Sequence, residues 1–311
     1  MQVIRSVEEM KSFVGETRRA AKSLALVPTM GALHNGHLSL VRKAKNQCDT
    51  TVVSIFVNPT QFGPSEDLER YPRNLEKDVK ALMPFNVSAA FVPSVEEMYP
   101  VGFATTVDPG AIGRRLEGAS RPDHFRGVAT VVLKLFNIVM PDRAYFGQKD
   151  FQQTVVISGL VKDFNLGVRM VLCPIVRDGD GVAVSSRNIY LAAEERVAAR
   201  ALNRSLEKAR KLVWGGEILT HRVMGEMRRL LGSDSRVGLD YLEIVDPGSL
   251  NSVERITAGC LALVAVKIGS TRLIDNTILG PFGASEEDLL RISRANHCGA
   301  ALPSPKSLQA S

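Results

Sequence analysis

Two histidines three residues apart, His34 and His37, lie in the stretch VPTMGALHNGHLSLVRKA (27–44), directly after an apolar run. Pro28 has no backbone N–H to donate, and Gly31 and Gly36 permit close backbone approach, so the stretch reads as a strand-to-helix crossover. A helix beginning near His37 aims its unpaired N–H groups at the sheet edge, where anions are favoured. Imidazoles on either side of that point can donate hydrogen bonds to phosphate oxygens as charge develops. The local string fits two other readings: a capping turn with incidental histidines, and one i, i+3 side of a metal site.

Further along, GVAVSSRNIYL (181–191) supplies what such a pair would act with. Ser185, Ser186 and Arg187 offer hydroxyls and a guanidinium, both suited to phosphate oxygens. In isolation the same residues describe a capping turn before a helix. In PDRAYFGQKDFQQ (141–153), Lys149 is a cation where a strand end passes into a helix, and Asp150 can cap that helix or meet ribose hydroxyls. His221 and His297 have no partners at metal-ligand spacing.

These residues need a frame. The runs 23–30, 50–58, 88–94 and 167–176 are short, β-rich and bounded by turn residues, as buried strands are. Helical stretches separate them at 37–47, 74–83, 128–139 and 150–164. The alternation predicts an α/β fold: a Rossmann-like, doubly wound parallel sheet covered on both faces, with ligands bound beyond the carboxyl ends of its strands. Past the turn RDGDG (177–181) the texture changes to two amphipathic helices and three strands, which predicts a smaller α+β domain. The expected division is therefore 1–176, 177–285 and a proline-containing tail, 286–311.

With 311 residues, 45% apolar and 23% charged, the chain has the composition of a globular protein. Its net charge of +6 is unclustered, and aromatics make up 6%, so a nucleic-acid platform is not indicated. Four cysteines lie far apart with no Cys-x-x-Cys spacing, which points to reduced thiols rather than a disulfide framework. The N-terminus lacks an apolar signal core, and VATVVLKLFNIVM (128–140) is too short and too polar to span a bilayer, so neither export nor a membrane is expected.

The first motif resembles the His-x-Gly-His signature of nucleotidylyl transferases, and the Ser-Ser-Arg stretch resembles their second, mobile phosphate-binding loop. SIFVNPTQFGPSEDLERYPR (54–73), LEGASRPDHFRGVATVVLKLFNIV (116–139), GQKDFQQ (147–153) and RLIDN (272–276) are similar to segments of one branch, the pantoate–β-alanine ligases. The resemblance runs from Ser23 to Asn276. It implies condensation of pantoate with β-alanine through a pantoyl adenylate, ATP as co-substrate, Mg²⁺ carried on the ATP phosphates, and a homodimer; with no organelle address in the sequence, cytoplasm is the default expectation.

Carried onto matching positions, it assigns ATP to Met30, Gly31, Ala32, Leu33, His34, Asn35, Gly36 and His37, with His37 as proton donor. It also assigns ATP to Gly147, Gln148, Lys149, Asp150, Val176, Val184, Ser185, Ser186 and Arg187. Gln61 and Gln153 would contact pantoate, and Gln61 also β-alanine. Gln148 and Val184 stand where many relatives carry glutamate and methionine or leucine. Arg121, His124 and Arg126 fit a wall of the site and a loop-ordering role equally. Asp78 is a remote candidate metal ligand. Two rivals remain at this level: another nucleotidylyl transferase, and a non-catalytic nucleotide- or RNA-binding module of the same fold.

Overall fold

A computed structural model describes residues 1–64 and 66–280. The expected tail at 286–311, and the last five residues of the expected second domain, lie outside the described residues. The first part of the chain runs β1 (Gln2–Ile4), α1 (Val7–Arg19), β2 (Leu24–Thr29), α2 (Asn35–Gln47), β3 (Thr50–Ile55), α3 (Leu75–Leu82) and β4 (Ala89–Phe91). It continues through α4 (Val95–Met98), α5 (Glu117–Ser120), α6 (His124–Val139), β5 (Arg143–Gly147), α7 (Phe151–Asp163) and β6 (Arg169–Cys173).

The six strands form one parallel sheet in the order β1-β4-β3-β2-β5-β6. Side chains alternate across it, because successive Cβ atoms of a strand point to opposite faces. Leu24 and Leu26 pack with α1, α6 and α7, whereas Ala25 and Val27 pack with α2 on the other face. The sequence therefore carries near-continuous apolar strands rather than an alternating pattern.

The order of strands determines where a ligand can sit. After β2 the chain builds β3 and β4 on one side, then returns to lay β5 on the other. This reversal is a switch point, and the carboxyl ends of the two diverging strands bracket a crevice. The register sharpens the point. β2 and β5 pair only at Ala25–Arg143 and Leu26–Ala144, so their last residues, Val27–Thr29 and Tyr145–Gly147, are free to splay.

The remaining elements are α8 (Ala193–Trp214), α9 (Thr220–Leu231), β7 (Val237–Val245), β8 (Cys260–Ile268) and β9 (Thr271–Leu279). The three strands form an antiparallel sheet, β7-β8-β9, with a bulge between Leu239 and Tyr241. The two helices cover one face with their own apolar core, including Leu202, Leu206, Val223, Met227, Ile244 and Val264. The other face contributes Leu261, Leu263 and Ile278 to a cluster with Phe151 and Val155 of α7, so the small sheet is anchored on the large domain.

The predicted strands and helices are present to within a few residues. β1, α1, β5 and the short helices α4 and α5 are additions to that pattern, although α1 begins with a complete capping box: the Ser6 hydroxyl accepts from the Glu9 N–H, and the Glu9 carboxylate accepts from the Ser6 N–H. Its Met10 and Val14 are fully buried, each worth roughly 1.5–3 kcal/mol relative to exposure. Among the described residues, no helix is long and apolar enough to cross a membrane.

Candidate active site

The chain leaves β2 at Thr29 and enters α2 at Asn35, two residues before the expected start, with His34 as an extended N-cap. The intervening loop is held by Asp78 of α3, whose carboxylate accepts from the N–H groups of Ala32 (3.0 Å) and Leu33 (2.7 Å). Asp78 is buried, and desolvation raises its carboxyl above the usual range while those two bonds oppose the rise. Both oxygens bond the loop, so Asp78, the remote metal-ligand candidate, serves here as a loop anchor.

The His34 and His37 rings stack, with centroids 4.0 Å apart and planes 18° from parallel. Gly36 permits this, since a Cβ there would lie 2.9 Å from Cε1 and Nδ1 of His34. Both Nδ1 atoms are buried without a protein partner. Burial first, and then the Lys149 ammonium, pull His34 down to about 4. Burial, His34 and Lys149 hold His37 well below the usual imidazole range. Two neutral rings stacked beside a lysine form a donor pair in a positive field, suited to an anion.

Lys149 comes from the other side of the crevice. β5 ends at Gly147 and passes through a 3₁₀ turn, Gln148–Asp150, into α7. The two adjacent glutamines that follow have different environments. The Gln152 amide is buried, accepting from the Glu117 N–H and donating to the Ile112 and Arg115 carbonyls. Gln153 instead lines the cavity. Gln61, after β3, is oriented by Asn58: the Asn58 amide N–H donates to Gln61 Oε1 (2.9 Å), and Asn58 Oδ1 accepts from Tyr99 Oη (2.7 Å). The Gln61 NH₂ is thereby turned toward Met30, whose Sδ lies 3.3 Å away. Sequence reasoning gives Asn58 no role of its own; an asparagine one turn before a site glutamine is the available signal.

The Ser-Ser-Arg segment closes the site from the second domain. The Val184 N–H donates to the Val176 carbonyl (2.9 Å), and the Ser186 hydroxyl donates to the Ala32 carbonyl across the crevice (3.2 Å). Arg187 makes a forked contact with Asp67, Nε to Oδ2 at 2.8 Å and Nη2 to Oδ1 at 2.7 Å. Burial pushes the Asp67 carboxyl up, but the guanidinium outweighs it and holds the group below its usual range. The fork takes two of the five N–H donors of the guanidinium, leaving three for another anion. Nothing in the local sequence marks Asp67 as the partner of Arg187.

These parts enclose a cavity of about 220 Å³ at the β2–β5 crevice, and a second of about 370 Å³ adjoins it at Lys149, Asp150, Ser185 and Arg187. Of the residues assigned a ligand from the sequence, all line the first cavity except Gly31, Ala32, Leu33, Asn35 and Gln148; the wall candidate Arg126 does not line it and pairs with Asp123 instead. Arg121 and His124 line it too, but through mutual commitments. His124 Nδ1 lies 2.8 Å from the Gln61 carbonyl and Nε2 lies 3.2 Å from Arg121, while Arg121 is forked onto Glu66. The network assigns the His124 proton to Nδ1, because Arg121 can only donate. Gly127 lets α6 approach this corner: a Cβ there would fall 2.3 Å from the Thr60 carbonyl.

Burial, then the Arg121 charge, also brings His124 down to about 4, against an ordinary 6.5. For His34 and His124 the unfolded chain binds more protons than the folded one between pH 6.5 and 4. Their contribution is fully present above the ordinary value and is lost as pH falls through that window, by up to about 1.4 kcal/mol per pH unit for each ring. Urea denaturation from neutral pH down into that window is expected to show stability falling with acidification, with a shallower slope in His124→Gln. Equal slopes for the two proteins would contradict the assignment.

A family model described as pantoate-beta-alanine ligase matches residues 2–278. The chain is 54% identical to the pantothenate synthetase of Thermotoga petrophila over 280 residues, 90% of this chain and all of that one. It is 50% identical to that of Pelotomaculum thermopropionicum, covering 90% and 99% of the two chains. The crystal structure of pantothenate synthetase from Thermus thermophilus superposes with a TM-score of 0.86 at 42% identity, over 90% of this chain and all of that one. The Francisella tularensis pantoate-beta-alanine ligase, complexed with a β,γ-ATP compound and β-alanine, gives 0.75 at 34% identity, over 91% and 100%. With the whole two-domain fold matched and identity far above what shared architecture alone requires, the chain belongs to the pantoate–β-alanine ligase family.

Proposed function

We propose that this site condenses pantoate with β-alanine at the expense of ATP, giving pantothenate, AMP and pyrophosphate. The observation that carries the reading is the meeting of the stacked His34–His37 pair, Lys149 and Arg187 around one cavity at the β2–β5 crevice, with the amides of Gln61 and Gln153 on its wall. In the first step a pantoate carboxylate oxygen attacks the α-phosphorus and pyrophosphate leaves. In the second the β-alanine amine attacks the acyl carbon, AMP leaves and an amide remains. No covalent enzyme intermediate is required, so positioning and electrostatic stabilisation carry the catalysis.

The triphosphate lies over the first crossover, against Met30 to His37, and the segments Gly147 to Asp150, Val176, and Val184 to Arg187 close on it. His34 and His37 are neutral donors before ATP arrives. The triphosphate's negative charge raises their proton affinity, which suits His37 to stabilise the departing pyrophosphate. Gln61 and Gln153 orient pantoate without a counter-charge. An arginine there would stabilise the ground-state carboxylate and blunt its attack.

Mg²⁺ fits as an ion carried on the phosphates. Asp78 and Asp67 are already committed, whereas Asp150 sits half-exposed at the cavity edge with only a loose 3.6 Å contact to Lys149. Asp150 would hold it through a carboxylate oxygen or a retained water, and the bound ion would neutralise phosphate charge. The same reading takes residues 177–285 as a lid domain and the assembly as a cytoplasmic homodimer joined through the larger domain. AMP release should require ATP, pantoate and β-alanine together, with pyrophosphate exchange into ATP driven by pantoate alone. Exchange driven by a nucleotide monophosphate would favour a different transferase.

A further inference from the structure

RLIDN has no part in the chemistry above, yet Asn276 lies against the turn that carries Lys149. Asn276 sits on β9 of the second domain and is 1% exposed. Its Nδ2 donates to two backbone carbonyls, those of Gln148 and Lys149, each at 3.0 Å. Its Oδ1 accepts from the Gln148 side-chain amide at 3.1 Å. These carbonyls belong to the short 3₁₀ turn between β5 and α7, where few backbone bonds exist to fix the chain. One side chain thus supplies the partners for the turn from the opposite domain.

The residue before it performs the matching task for the other cation. Asp275, also buried, holds Arg177 through two bonds of 2.6 and 3.0 Å, and Arg177 in turn donates to the Gly181 carbonyl at the base of the Ser-Ser-Arg segment. Because adjacent strand residues face opposite ways, β9 grips the Lys149 turn with one residue and the Arg187 arm with the next.

We infer that Asn276 is a positioning residue for Lys149 in the adenylation step, setting the height of the ammonium over the α- and β-phosphates. The inference rests on the proposed role of Lys149. Displacement of a catalytic group by about 1 Å costs up to about 10²-fold, so the turn need not unfold for the effect to be large. The amine attack of the second step has no leaving pyrophosphate to stabilise and does not depend on Lys149 in the same way.

The test measures the two half-reactions separately on the same sample: pantoate-dependent pyrophosphate release without β-alanine, and AMP release from supplied pantoyl adenylate with β-alanine. Their ratio is independent of how much protein is folded. Asn276→Ala is expected to lower the ratio of adenylation to amide formation by about 10- to 100-fold. Asn276→Ser, which keeps one hydroxyl donor, is expected to lower it less and serves if the alanine variant does not fold. An unchanged ratio in whichever variant folds, with both rates falling together or neither falling, would overturn the inference. Lys149→Ala runs alongside: if it leaves adenylation intact, the proposed role of Lys149 fails first, whatever Asn276 does.

Discussion

Lys149→Ala is expected to lower pantoate-dependent AMP formation by about 10³-fold, the scale on which enzymes lose rate when one preorganised donor to a developing charge is removed. The ammonium stands at the carboxyl end of β5 in the cavity shared with the imidazoles. Its nearest carboxylate, Asp150, is 3.6 Å away, too far for a strong hydrogen bond. Lysine is a point charge on a flexible stem, so most of what is lost is charge at that position, not packing. Folding should therefore survive. A second signature accompanies the loss of rate. Lys149 is one of the causes that depress His34, so removing it should move that ring's titration upward toward its ordinary value. Imidazole titration followed by NMR checks the shift, and single-turnover AMP formation checks the rate. An unaltered rate would remove Lys149 from the account.

His37→Ala should cost about 10²-fold in adenylation with little effect on stability. The variant loses the ring stacked on His34, but it also removes a buried Nδ1 that has no partner in the protein. These contributions oppose each other, and a net change within about 1 kcal/mol is expected. Circular dichroism and urea denaturation, compared with the single-turnover rate, separate the possibilities. A variant that is fully active, or that loses activity only in proportion to unfolded protein, would show that the ring pair serves the fold.

Much of the fold was legible because parallel sheets have a simple sequence signature: buried strands such as TTVVSI, separated by helices whose apolar positions recur at helical spacing. What the pattern could not give was α1, whose helix is plain only once its capping box is noticed, the three-residue β1, and β5, which is too short to stand out as a buried run of its own. The site divides in the same way. His34, His37, Lys149, Ser186 and Arg187 stand in motifs whose residue types state their chemistry. Asp78, Asp67 and Asn276 hold such residues from far along the chain, and Asn58 holds Gln61 from within an adjacent turn. Each is an ordinary polar residue in its own neighbourhood. Gln152 and Gln153 show the limit of local reading most plainly. Two identical neighbours face different ways, one into a buried hydrogen-bond network and one into the cavity. Only the phase of α7 against its surroundings tells them apart.

In its proposed role at the triphosphate, Arg187 starts from a resting pairing with Asp67 that has a consequence for binding. A guanidinium half neutralised by a carboxylate attracts phosphate less than a bare one, but it is already oriented, so less rotamer freedom is lost when ATP binds. Together with Ser186 on the Ala32 carbonyl, the contact closes the second domain onto the crossover through bonds that a triphosphate can share.

The most direct measurement is a crystal structure of the protein soaked with a non-hydrolysable ATP analogue and pantoate. The account predicts the α-phosphorus over the start of α2, within reach of the Nε2 atoms of His34 and His37, flanked by Lys149 and Arg187, with the pantoate carboxylate held by Gln61 and Gln153 on the opposite side. Adenosine bound at another edge of the sheet, with both imidazoles turned away from the phosphates, would contradict it.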